Sequence, residues 1–393
     1  MNLSEYLQTM ADQGASDLFL SVGAAPAIKV EGETRMLDAP ALDSDAVAQL
    51  ADAILDEEHK RVFDRKHEMN LTLPQAGTGR FRVNLYRQRG ETGIAIRYVP
   101  ESIPTIESLN LPAILEELIM RPRGLVLVVG ATGSGKSSTL AAMIDYRSKH
   151  RSGHILTIED PIEFVHQHGK SIVDQREVGF DTNSYADALQ NALRESPDVV
   201  MIGEIRDRET MQQALIFAET GQLCLATLQA NNAAQALDRI VGLFPDSARK
   251  QVLMDLSLNL QAVVSQRLLR RSAGGRRLPA VEVLLHSRHV SDLILKGEID
   301  RLKDAMKQGL DAGMMTFEES LLRLYQAGKV SLDEALDNAD SRSDLALRVR
   351  LSEPLEVALQ RGQPFSVEPS AVESPTLDPG AGLVDDRSRR HRV

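Results

Sequence analysis

The chain has 393 residues, 42% hydrophobic and 26% charged, which at about 150 residues per domain suits two or three domains with cores of their own. Its formal charge of −11, with no Trp, 6 Tyr and 9 Phe, weighs against a broad electropositive face or a base-stacking platform, so direct nucleic-acid binding is disfavoured. A single cysteine, Cys224, closes no intramolecular disulfide and builds no cysteine zinc site, which points to a reducing, cytosolic setting.

The opening MNLSEYLQTMADQG is acidic and lacks the basic head and apolar stretch of a signal peptide. The longest purely apolar run, 125–129, is far below the ~20 residues of a membrane-spanning helix. Membrane contact is therefore expected only through partners. Residues 1–100 read as a small α+β domain. An amphipathic opening helix precedes alternating strand-like runs at 17–22 and 28–37; a helix is predicted over 45–63, where apolar residues recur at three and four. NLTL, GRFRVNLYRQRG and TGIAIRYV then read as antiparallel strands joined by Gly-containing turns. The proline-containing stretch 101–112 reads as a linker.

From 113 to 285 the texture changes to apolar strands alternating with helical segments, the signature of βαβ units around a parallel sheet. Strands are predicted at 124–129, 154–159, 171–174, 199–202 and 223–227, with helices starting near Lys136, Ser184, Arg208 and Asn232. A long helix is predicted over 247–264. Short helices fill 286–350, two of them announced by capping spacing, Thr316 with Glu319 and Ser331 with Glu334. The Pro-rich segment 351–393 has no apolar periodicity and reads as a disordered tail.

The chemistry concentrates in three places. GATGSGKS follows the strand LVLVV and opens an Ala-rich helix, so the pattern G-x-x-x-x-G-K-[ST] stands in the context that gives it meaning. Small residues let the backbone N–H groups of Gly130, Ala131, Thr132, Gly133, Ser134 and Gly135 converge on phosphate oxygens, with Ser138 in the first helical turn. Lys136 reaches the β and γ phosphates of ATP, and the Ser137 hydroxyl completes Mg²⁺ coordination. DVVMIGEIRD ends its apolar run in Gly203 and Glu204, which delivers the Glu204 carboxylate beside the γ-phosphate to orient the attacking water and the metal. The aspartate often found one residue earlier in P-loop enzymes is Gly203 here, leaving the metal one carboxylate short. TIEDPIE supplies candidates to fill that gap in Glu159, Asp160 and Glu163.

Phosphoryl transfer also attracts arginine to the developing γ charge. Arg80, Arg82, Arg87, Arg89 and Arg97 lie on predicted strands of the first domain, an arrangement that on spacing alone reads as a solvated sheet face. His154, His166 and His168 read as polar surface groups rather than metal ligands.

With these elements in order, the sequence resembles the secretion-type hexameric ATPases, specifically the type IV pilus retraction ATPases of the PilT/PilU kind. GATGSGKS, TIEDPIEFVH, LRESPDVVMIGEIRD, GQLCLATLQANNA and TFEESLLRLYQAGKVSLDEAL carry the resemblance. It implies an α/β architecture of an N-terminal PAS-like domain and a C-terminal RecA-like P-loop ATPase domain, assembled as a homo-hexamer with ATP and Mg bound between domains and subunits. It implies catalytic roles for Lys136, Glu204, Glu163, Arg82 and Arg97, and metal contacts through Ser137, Glu163 and Glu204. It also implies a cytoplasmic position at the inner-membrane pilus base, an inner-membrane platform protein as partner, and a paralogous PilT-like ring. The lone cysteine departs from the tetracysteine module of the extension ATPases. Where the family reads T-L-H-T-N, this chain reads Thr227-Leu228-Gln229-Ala230-Asn231, so Gln229 takes the γ-phosphate-contacting position; with the Pro-rich tail, this brings PilU closer than PilT. Two readings follow, an ATP-driven motor or an accessory ATP-binding subunit acting through the paralogous ring. A DNA translocase is the disfavoured third.

Overall fold

Two sheets with separate apolar cores organise the protein. The computed structural model describes residues 1–30, 32–75, 79–99 and 102–352, with the side chains of 74, 75 and 79 left aside. By contacts the chain divides into Met1–Arg348 and Val349–Val393, and both sheets lie in the first unit. Of the expected tail, 353–393 lies outside the described residues.

The first sheet is antiparallel throughout, in the order β3-β2-β1-β6-β5-β4. Its strands are β1 (Asp17–Ser21), β2 (Ala27–Val30), β3 (Glu33–Met36), β4 (Glu68–Gln75), β5 (Gly79–Gln88) and β6 (Glu91–Val99), with helices α1 (Leu3–Asp12), α2 (Ser44–Ile54) and α3 (Glu57–Lys66). Alternation decides what each face does. Leu18, Leu20, Phe81, Val83, Leu85, Ile94 and Ile96 are buried in one core with Tyr6, Leu7 and Met10 of α1 and Val47 and Leu50 of α2. The intervening residues form a polar face, on which Arg82 and Arg97 stand directly opposite each other in register.

After α4 (Ile114–Ile119), the second sheet is built from β7 (Gly124–Gly130), β8 (Gly153–Glu159), β9 (Ser171–Glu177), β10 (Val199–Ile202), β11 (Leu223–Leu228), β12 (Leu260–Leu269) and β13 (Leu278–Leu285). Its order is β13-β12-β7-β11-β10-β8-β9, parallel except for the antiparallel edge strand β13. The helices α5 (Lys136–His150), α6 (Tyr185–Ala192), α7 (Arg208–Glu219), α8 (Ala233–Gly242) and α9 (Arg249–Asn259) connect its strands. β7 and β11 are buried at every residue, as strands covered on both faces must be, which is why they read as unbroken apolar runs. Beyond the sheet follow α10 (Arg288–Lys296), α11 (Leu302–Gln308), α12 (Phe317–Gln326), α13 (Leu332–Asp337) and α14 (Arg342–Ser352). Thr316 and Ser331 cap α12 and α13 as their spacing predicts, accepting the N–H groups of Glu319 and Glu334 at 3.3 and 3.2 Å.

Four sequence expectations are corrected. The helix over 45–63 is two helices, because Leu55 turns extended and Asp56 caps a new start by accepting the His59 N–H. The run 28–37 is a hairpin of two strands, β2 and β3. The helix over 247–264 ends at Asn259, and Leu260 begins β12 between β7 and β13; the β-branched pair Val263-Val264 prefers that fully buried pleated position over helical continuation. His166 is buried, not a surface group. The stretch read as a linker also contributes to packing, since Ile106 and Leu111 are buried in the core of the second sheet.

Candidate nucleotide site

The site forms at the carboxyl ends of β7, β8, β10 and β11, where an open parallel sheet places ligands. β7 delivers the phosphate loop. Gly135 caps α5 at φ +92°, a left-handed conformation that glycine adopts without a Cβ clash. Among the described residues no side chain caps this helix start, so its first N–H groups and the positive end of its dipole are left for an anion. The buried Ser134 Oγ likewise has no hydrogen-bond partner among the described residues. Lys136 Nζ folds back onto the loop, donating to the carbonyls of Gly130 and Ala131, both at 3.0 Å. Burial lowers its pKa, opposed by the charges of Glu204 and Glu163. Donors held in reserve over an uncapped helix are the chemistry a polyphosphate requires.

β10 delivers the carboxylate. The Gly203 N–H donates to the Ile158 carbonyl and the Ile205 N–H to the Thr227 carbonyl, both at 2.8 Å, so neighbouring strands on either side hold the bend from which Glu204 projects. Gly203 sits in close quarters: a Cβ there would lie 2.7 Å from Tyr185 Oη and 3.2 Å from both the Glu159 Cα and the Ile158 carbonyl oxygen. Burial raises the pKa of that hydroxyl, and the neighbouring Glu204 backbone opposes the shift. The volume of the absent aspartate is therefore filled by Tyr185, a residue that sequence reasoning missed because it comes from α6.

Around Glu204 the charges are arranged closely. Arg206 Nε donates to its Oε2 at 2.5 Å and Gln229 Nε2 to its Oε1 at 2.7 Å. Burial raises the Glu204 pKa, but the bonds from Arg206 and Gln229 and the charges of Arg206 and Lys136 outweigh it and hold the carboxyl below the ordinary glutamate value. Arg206 also stands 3.7 Å from Asp160 Oδ2, joining the two acidic motifs. Sequence reasoning missed Arg206 too, although the signal, an arginine two residues after the carboxylate in GEIRD, was present. Glu159 takes a structural part. Buried, it accepts from Thr157 Oγ1 at 2.8 Å and Gln175 Nε2 at 3.0 Å, and burial raises its pKa. His166 shares that surrounding, and burial pushes its pKa down to about 4.

One cavity of about 290 Å³ is lined by Thr132, Gly133, Lys136, Ser137, Glu163, Glu204 and Gln229, together with Asp160, Tyr185 and Arg206. Ala131 lines an adjoining hollow with Thr132 and Gln229. Gly130, Ser134, Gly135 and Ser138 build the loop and helix start without lining the cavity. Arg82 and Arg97 stand apart. They share a second cavity of about 300 Å³ with Asp17, Lys29, Glu177 and Phe180, and Arg97 Nε is bonded to Asp17 at 2.9 Å. Burial lowers the Arg82 pKa, while Glu177, Glu163 and Asp160 of the same chain oppose that shift.

The family profile of type II/IV secretion system proteins matches residues 3–303, which span both sheets. The chain belongs to the PilT/PilU-type secretion ATPases. It is 48% identical over 351 residues to the type IV pilus ATPase PilU of Pseudomonas aeruginosa, covering 89% of this chain and 92% of that one. PilT of the same organism, a type IV pilus retraction ATPase, is 40% identical over 339 residues, covering 86% and 98%. The crystal structure of the pilus retraction motor PilT with bound ADP has a TM-score of 0.83 at 40% identity, covering 88% and 99%.

The donor set of this secretion ATPase suits Mg²⁺ held jointly with a nucleotide. Among the described residues no group of three His, Cys, Asp or Glu side chains stands ready to hold a metal alone. Ser137, Glu163 and Glu204 nevertheless offer hard oxygen donors in the same cavity as Lys136, which is the sparse protein ligation that phosphate-bound Mg²⁺ accepts. No helix among the described residues is long and apolar enough to cross a membrane.

Proposed function

We propose that this chain is an ATP-hydrolysing motor, working as a homo-hexamer, that drives or assists type IV pilus retraction and twitching motility. The observation that carries the reading is the convergence of Lys136, Ser137, Glu163, Glu204 and Gln229 on one cavity in a chain with this likeness to PilU and PilT. Bound ATP and Mg²⁺ supply the phosphoanhydride and the countercharge. The phosphate loop and Lys136 hold the phosphates, Ser137 and Glu163 hold the metal, and Glu204 orients the attacking water and accepts its proton. Its place is the cytoplasmic face of the inner membrane at the pilus base, with a platform protein and a PilT-like ring as partners.

A second reading, an accessory subunit with weak hydrolysis of its own, is favoured by Gln229, whose amide is bonded to Glu204. The Gln229 amide already donates to an ionised acceptor, so what a cationic imidazole would add is direct charge attraction, about 1 kcal/mol at 4 Å in bulk water and more where water is excluded, or roughly fivefold or more in an equilibrium. Gln229→His is accordingly expected to raise the rate of the isolated protein and reduce its dependence on an added PilT ring. The gain should be larger at pH 6 than at pH 8, because imidazole becomes cationic as pH falls. Identical rates and pH profiles for the two proteins would defeat this account of Gln229.

The arginines offer a further test. An arginine at the developing γ charge can come from the same subunit or from its neighbour. Arg82 feels the charges of Glu163 and Asp160 of its own chain, both of which line the nucleotide cavity, and we assign it to the nucleotide bound by that chain. Mixed rings of a Glu204→Gln chain and an Arg82→Ala chain should then stay inactive, since every site lacks one group. Activity recovered on mixing, in rings shown to contain both chains, would establish donation between subunits instead.

A further inference from the structure

The segment that carries Gln229 is held from behind by residues that hydrolysis itself does not use. Its backbone is pinned at three points. Arg239 Nη1 donates to the Gln229 carbonyl at 2.9 Å, Arg267 Nη2 to the Asn231 carbonyl at 3.2 Å, and the Ala233 N–H donates to the buried Glu282 carboxylate at 2.8 Å. Arg267 lies on β12 immediately after Gln266, which pairs with Gly130 at the end of the phosphate-loop strand. Its side chain leaves the strand on the face opposite to Gln266 and meets the Asn231 carbonyl, two residues beyond Gln229.

The same guanidinium reaches the C-terminal helices. It donates to the Asn338 carbonyl at 2.5 Å and to the Asp340 carboxylate, and it lies over the Phe317 ring at 3.9 Å. Asp340 is also 3.6 Å from Lys303, which pairs at 2.8 Å with the fully buried Glu318. Glu318 in turn accepts the Ser341 N–H at 3.2 Å. A planar fork of five donors suits a junction that must satisfy several acceptors in fixed directions. The C-terminal sequence TFEESLL, which the nucleotide cavity leaves unused, supplies Phe317 and Glu318 to this junction.

We propose that Arg267, held by Asp340, is a positioning residue: it sets the backbone of 229–233 so that the Gln229 amide meets Glu204, and through it the C-terminal helices govern hydrolysis. The proposal rests on the hydrolytic reading above. A shift of α12 or of the 338–341 connection would move the Asn231 carbonyl and loosen the amide contact to the catalytic carboxylate, whereas the phosphate loop keeps its own hydrogen bonds. The effect belongs in turnover and not in nucleotide affinity.

The test uses the full chain and Asp340→Ala, which spares the stack of Arg267 on Phe317. The expected result is a kcat lower by roughly fivefold with KM within about twofold of wild type, a loss that disappears when Gln229→Ala is already present. An unchanged kcat, a loss expressed in KM, or a full loss persisting on the Gln229→Ala background would overturn the proposal. Amide hydrogen exchange of residues 229–233 in the nucleotide-free chain reads the same strap without turnover and should be faster in Asp340→Ala; unchanged exchange would also overturn it. If the wild-type chain turns over no faster than Glu204→Gln, the motor reading fails, and the exchange measurement still decides the strap.

Discussion

Glu204→Gln is expected to leave ATP binding nearly intact while hydrolysis falls by at least ~100-fold. The side chain keeps its shape and can still accept from Arg206, so the frame formed by Arg206, Asp160 and Gln229 has an acceptor left to close on. What disappears is the charge. Arg206, Gln229 and Lys136 together hold the Glu204 carboxyl below the ordinary glutamate pKa in spite of burial, so it is ionised at neutral pH and available to orient and deprotonate water. An amide accepts no proton. The Gly203 and Ile205 backbone bonds to the neighbouring strands do not involve the side chain of residue 204, so the bend after β10 is expected to survive and nucleotide affinity with it. Fluorescent-nucleotide titration alongside phosphate release separates the two quantities, and wild-type turnover in the variant would remove Glu204 from the mechanism.

The sequence revealed those parts of the site whose residues are contiguous. The phosphate loop is legible because strand, glycines, lysine and helix must follow one another to work, and Glu204 because an apolar strand that ends in a carboxylate can hardly point it elsewhere. Contacts between distant segments were not legible. Tyr185 is 19 residues from Glu204 yet fills the space above Gly203, and only the packing of α6 against the sheet brings it there. His166 was misread for the same reason, since a polar residue in a loop looks solvated until the fold buries it. The error at 260–264 was of another kind: the local pattern continued a helix, but pairing with β7 and β13 on both sides decided for a strand, a tertiary preference that overrides local propensity.

Lys136→Ala should have the opposite signature to Glu204→Gln, with the loss in binding itself. The ammonium is half-buried, and burial lowers its pKa while Glu204 and Glu163 hold it up. Its removal deletes the positive charge that balances two carboxylates in a cavity of about 290 Å³. The remaining pocket is more negative, and a triphosphate entering it meets Glu204 and Glu163 without that compensation. The loop loses support as well, since the Gly130 and Ala131 carbonyls are both held by this side chain. A hydrogen bond to a charged group contributes about 1.5–3 kcal/mol, or roughly 10- to 100-fold in Kd at about 1.4 kcal/mol per tenfold. The weakening should be smaller for ADP than for ATP, because the missing ammonium serves the γ-phosphate as well as the β. Equilibrium titration of both nucleotides with Mg²⁺ present checks this. Affinities within twofold of wild type for both would mean that the uncapped start of α5 holds the phosphates without the lysine.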